Sequence, residues 1–90
     1  MYFLSINKIR QDVNPAEVGA AIASHIAWTR QELAAGRLAQ AGKWGEAGGM
    51  AIVRAGDIGE AERIVGRDPL VAAGLVDCET APLYPDVPIG

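Results

Sequence analysis

One histidine, His25, stands in the segment SHIAW at Ser24–Trp28, within an alanine-rich stretch of helical periodicity. Imidazole is the side chain whose ordinary pKa lies closest to neutrality, so a histidine in a cleft can carry a proton in either direction. It can also be a packed border residue with no chemistry at all. At 100° per residue, His25 falls about 60° from the direction of Ile22. It therefore borders the apolar stripe made by Val18, Ile22, Ile26, Thr29 and Leu33 and does not point straight into solvent. Trp28 lies further round the same flank. An aromatic wall beside a polar group could stack on a flat ligand and keep water out, and Trp44 is a second candidate for that role. Both tryptophans could equally fill gaps in an alanine-rich core or seal a subunit interface.

Other reactive types are sparse. Asp68 precedes Pro69 and suits a helix N-cap, as do Asp57 and, with their helices, Glu17 and Glu60 in the first turns. Glu32 and Glu62 read as members of solvated helix faces. Ser5 and Ser24 belong to no G-x-S-x-G nucleophile elbow. Cys78 is flanked by Asp77 and Glu79, two acids that disfavour a thiolate. One His and one Cys cannot complete the usual zinc set, so no metal is expected. Ser5 and Asn7, on an N-terminal strand, could orient a ligand or hydrogen-bond across a subunit boundary.

These residues need elements to position them. YFLSINKI alternates Tyr2, Leu4 and Ile6 with Phe3, Ser5 and Asn7, the period of a strand. Asn14, Pro15 and Glu17 form an N-terminal helix signature, and the helix is expected to run to Ala35 and stop at Gly36. GRLAQAGKWGEAGGMAIVRA reads as two strands around a glycine-rich turn spanning Gly42–Gly49. The glycines fit neither GxxxxGK[ST] nor GxGxxG, so no nucleotide cofactor is implied. Asp57 and Glu60 open a second helix that ends at Gly66, with Ala61, Ile64 and Val65 inward. DPLVAAGL gives a short helical turn, and LVDCETAPLY gives a last strand with a proline-bearing arm over about 82–90. The order β-α-β-β-α-β predicts one α+β domain over 1–90 with a ferredoxin-like, four-stranded antiparallel sheet. Both helices would cover one face, and a second copy of the sheet would cover the other.

The totals narrow the function classes. Ninety residues with 50% apolar but only 6% aromatic content give a thin core, which favours association into a homodimer. The net charge of -3 and scattered cations argue against nucleic acid. No apolar run reaches the roughly 20 residues that would span a bilayer. With one cysteine and no recognisable leader, a cytoplasmic protein without membrane attachment is expected.

The strand MYFLSI, the helix histidine, LAAGRLAQAG, and the block GGMAIVRAGDIGEAERIVGRDPLVAAGL occur here in one order and spacing. In this the chain resembles the YciI-like, or YCII-related, family, whose members look like small relatives of muconolactone isomerase. The resemblance covers nearly the whole chain. It implies a dimeric α+β barrel, with sheets packed face to face and a pocket between helix and sheet. It also implies that the histidine and the aspartate of the Asp-Pro step, His25 and Asp68 here, share that pocket as a catalytic pair. One branch of the family is similar to a dehydrochlorinase of a chlorinated hydroxyquinol. Many relatives carry Gly-Pro after the second strand where this chain has Gly42-Lys43, which puts a cation at the expected pocket rim.

The leading expectation is therefore a cofactor-free lyase or isomerase acting on a small cyclic or aromatic metabolite. His25 would move the proton, and Asp68 would orient it. Ser5, Asn7, Trp28, Lys43 and Trp44 are the expected substrate contacts. Two other readings stand beside it: a non-catalytic dimeric module that binds a small molecule, and an oxygenase of the wider barrel group.

Overall fold

In a computed structural model, which describes residues 1–89, the chain runs β1 (Tyr2–Ile9), α1 (Pro15–Ala35), β2 (Leu38–Lys43), β3 (Gly48–Arg54), α2 (Ile58–Gly66), α3 (Pro69–Ala72) and β4 (Val76–Leu83). The strands form one antiparallel sheet in the order β2-β3-β1-β4. This is the expected α+β arrangement, with α3 as a short insertion before the last strand. Gly90, the end of the expected arm, lies outside the described residues. The strand pairing of β4 continues through Pro82, which faces Phe3, so the arm starts at Tyr84 and not at 82. β4 is an edge strand, where a proline removes no ladder bond that the sheet needs.

The helix boundaries follow from their caps. Asn14 Oδ1 accepts from the Ala16 N–H at 2.9 Å, and Pro15 starts α1. Gly36 closes it in the left-handed conformation (φ 79°), its N–H bonded back to Leu33 O. Asp57 Oδ1 accepts from the Glu60 N–H at 2.8 Å and starts α2. The glycine-rich connection is shorter than its composition suggests. Gly42, Gly48 and Gly49 sit in strands, and only residues 44–47 turn the chain. Gly48 is there because β1 comes close: a Cβ at this position would lie 2.5 Å from Asn7 O.

Strand alternation sorts the sheet into two faces. On the helix side the cross-strand rows are Leu38–Val53–Phe3, then Ala41–Ala51–Ser5, then Lys43–Gly49–Asn7. The first row is large and buried. It packs with Ala61, Ile64 and Val65 of α2 into the main core. A second cluster joins Val18 of α1 to Leu70, Leu75 and Val76. The opposite face carries Leu4, Ile6, Met50 and Ile52, all half-buried, and no element of the described chain packs over it. Among the described residues, no helix is long and apolar enough to cross a membrane.

Two expectations about α1 are corrected. Its apolar stripe is buried only at Val18: Ile22 is 37% and Ile26 44% exposed, and Leu33 is exposed as well. The helix backbone packs against β2 and α3, yet no α1 Cα comes within 8 Å of a Cα in the central strands β1 or β3. The small second row of the sheet gives α1 nothing to settle onto, so its stripe overhangs a cleft. Glu32, expected on a solvated face, is instead 3% exposed. Arg37 Nε donates to its Oε2, and Arg67 Nη2 stands 3.9 Å from Oε1. A carboxylate taken from water needs such partners. The Glu32 hydrogen bond and charge hold the Arg37 guanidinium above its usual range.

Candidate active site

The cleft beneath α1 owes its existence to side-chain size. Ala41, Ala51 and Ser5 form its floor, because the strand positions that would fill the space carry one heavy side-chain atom or two. Leu38 and Val65 close the inner end, and Trp28 and Thr29 of α1 form the roof. This inner lobe encloses about 230 Å³. A second, outer lobe of about 410 Å³ runs on toward the β2–β3 turn, walled by Ile22, Leu70, Lys43 and Glu46. His25, Ile26, Asn7, Gly42 and Gly49 border both lobes, so the two are continuous and His25 stands where they meet.

His25 reaches this place from the middle of α1. Its Nδ1 lies 2.8 Å from Asp68 Oδ1. Asp68 is 2% exposed and sits behind the imidazole, not in the cleft wall. It remains the N-cap of α3: the same Oδ1 accepts from the Leu70 N–H at 3.0 Å. The helix cap and the contact with His25 thus fall on one oxygen, and Asp68 stands outside the pocket lining that the resemblance implied for it. An ionised carboxylate only accepts, so a neutral imidazole paired with it would donate from Nδ1–H and leave Nε2 as its acceptor. Thr29 Oγ1 donates back to His25 O at 2.9 Å, one turn along, which ties the helix at this point. The Trp28 ring is stacked beside the imidazole, with centroids 6.4 Å apart and planes 30° apart. Among the described residues, its buried Nε1–H finds no acceptor.

The structure brings together Ser5, Asn7, His25 and Trp28 at the inner lobe and Lys43 at the outer one. Ser5 Oγ accepts from Thr80 Oγ1 at 3.2 Å and lies 3.2 Å from Cys78 Sγ, so it is held within the sheet. Trp44, expected as a pocket wall, borders neither lobe. It belongs to the turn, where Lys8 Nζ sits 4.9 Å from its ring centroid. β2 ends at Lys43, and Trp44 is the first residue of the turn, beyond the strand that faces the cleft. Sequence reasoning missed Ala41, Gly49 and Ala51. Their signal was present as small residues on one face of paired strands, but it acquires meaning only once the register is known. Among the described residues, no three His, Cys, Asp or Glu side chains gather as metal ligands would.

Comparison with known proteins agrees with this architecture. A search of solved structures finds 5-chloro-2-hydroxyhydroquinone dehydrochlorinase (TftG) from Burkholderia phenoliruptrix AC1100, in complex with 2,5-dihydroxybenzoquinone. It superposes with a TM-score of 0.74 at 22% sequence identity, over 93% of this chain and 94% of that one. At that identity the likeness is one of fold. No curated protein matches the sequence. The sequence profile of the YCII-related domain matches residues 1–80, which include every strand but the last three residues of β4 and every side chain of the cleft. The chain belongs to the family of YCII-related domains.

Proposed function

We propose that this protein is a small-molecule lyase or isomerase in which the His25–Asp68 pair performs acid–base chemistry on a single ring. The observation that carries the reading is the 2.8 Å contact of His25 Nδ1 with a buried carboxylate at the junction of the two lobes. Asp68 fixes the tautomer and stabilises the imidazolium that forms when Nε2 takes a proton. Nε2 then returns the proton to a neighbouring carbon or to a departing group. Help of this kind is worth about 10²–10⁴ in rate.

The size of the inner lobe favours a monocycle. A cavity of about 150 Å³ suffices for benzene in an engineered protein, and the lobe here holds about 230 Å³. One six-membered ring with small substituents fits this volume. The structural neighbour is a dehydrochlorinase with a dihydroxybenzoquinone in its complex, which supports the same ligand class at the level of fold. The reading requires no cofactor, and it includes a homodimer formed through the uncovered face of the sheet.

The test is turnover of 5-chloro-2-hydroxyhydroquinone and its unchlorinated analogues under anaerobic conditions, followed by chloride release and by proton exchange at ring carbons. Activity that disappears in His25→Ala supports the proposal. Saturable binding of these rings with no product in the wild type would favour a binding module instead.

A further inference from the structure

The outer lobe has no role in a reaction confined to one ring, yet it is continuous with the inner lobe and larger. Its walls near His25 are apolar, from Ile22, Ile26 and Leu70. Its far end holds Lys43. This lysine is not a random surface cation. It occupies the last position of β2 and pairs with Gly49, which in turn pairs with Asn7, so it lies in the third cross-strand row of the helix-side face. The other strand cations, Lys8 and Arg54, stand in the alternate register on the uncovered face, Arg54 over Tyr2 and Lys8 over Trp44. Lys43 is therefore the one strand cation on the cleft side among the described residues, and it makes no ion pair there. Gly49 keeps the space between Lys43 and Asn7 open; a Cβ there would stand 3.3 Å from Asn7 Oδ1.

From this row we infer that the ligand is a ring bearing a short side arm that ends in a carboxylate. The ring lies in the inner lobe. The arm passes His25 and Asn7 along the apolar walls, and the carboxylate meets Lys43. Glu46 borders the same lobe but forms no ion pair with Lys43 among the described residues. The inference rests on the single-ring reading above, and it adds the class of substituent that the ring carries.

The test uses catechol, 3-(3,4-dihydroxyphenyl)propionate and the neutral amide of that acid, each titrated into the intact protein while the one imidazole signal is followed by NMR. The acid is expected to bind about tenfold more tightly than catechol or the amide, the scale of one charge-assisted hydrogen bond. Lys43→Met should remove that advantage and leave catechol unchanged. Equal affinity of acid and amide, or an advantage that survives in Lys43→Met, overturns the inference while the single-ring reading stands. If no member of the series binds, the single-ring reading fails, and this inference with it.

Discussion

Asp68 carries two loads on one oxygen, and two substitutions separate them. Asp68→Ala removes the acceptor of the Leu70 N–H and that of His25 Nδ1–H. Loss of an N-cap costs about 0.5–2 kcal/mol, and loss of the second hydrogen bond about 0.5–1.5 kcal/mol. Since 1 kcal/mol moves the Tm of a domain this size by about 4–8 °C, the variant should melt roughly 10 °C below wild type. Asp68→Asn keeps a carbonyl oxygen at the same place, so both hydrogen bonds can persist, and its Tm should fall by less than about 5 °C. Turnover should respond differently. Asn is neutral and no longer stabilises an imidazolium, so both variants should lose about 10²–10⁴ in kcat. Thermal melts by circular dichroism, paired with chloride release from 5-chloro-2-hydroxyhydroquinone, read the two effects separately. If Asp68→Asn turned over at the wild-type rate, the carboxylate charge would have no part in catalysis and the dyad reasoning would be refuted. If Asp68→Ala were as stable as Asp68→Asn, the cap would contribute nothing.

Three further outcomes follow from the packing. Ala51→Leu puts a branched side chain into the floor of the inner lobe; ring binding should vanish while the circular dichroism spectrum stays native, and retained binding would place the ring elsewhere. Glu32→Ala leaves Arg37 and Arg67 without their buried acceptor and opens a hole at the end of α1, so the variant should unfold at a lower denaturant concentration than wild type; an unchanged midpoint would show that the contact contributes nothing to stability. Ile6→Lys adds a charge to the uncovered sheet face, where Ile6 neighbours Leu4 and Met50; sedimentation should show a dimer in the wild type and a monomer in the variant, and a wild-type monomer would refute the face-to-face association.

Much of the fold was legible because its signals are local. Asn14–Pro15, Asp57 and Asp68–Pro69 announce helix starts, Gly36 announces a stop, and the alternation of Tyr2–Asn7 announces a strand. The position of His25 on the border of the apolar stripe was also a local matter of 100° steps. What the sequence hid depends on partners far along the chain. The stripe of α1 looks like a core face, and only the pairing of Ala41, Ala51 and Ser5 beneath it shows that the helix spans a gap. Glu32 looks like a surface residue until Arg67, 35 positions on by sequence number, is folded against it. Asp68 shows its cap within two residues, whereas its bond to His25 crosses 43 positions. Trp44 adjoins Lys43 in sequence but lies outside the cleft, because β2 ends at Lys43 and the tryptophan begins the turn.

The central claim is that Asp68 presents His25 to the cleft with Nδ1 protonated and Nε2 free. Nitrogen-15 NMR of the one imidazole tests it directly, at a pH about two units above the ordinary imidazole pKa of ~6.5. The Nδ1–H tautomer should predominate in the wild type, with Nε2 at the shift of a bare lone pair. A predominance of the Nε2–H tautomer would contradict it, since Asp68 would then not hold the imidazole by Nδ1–H and the ring could offer no base to a substrate.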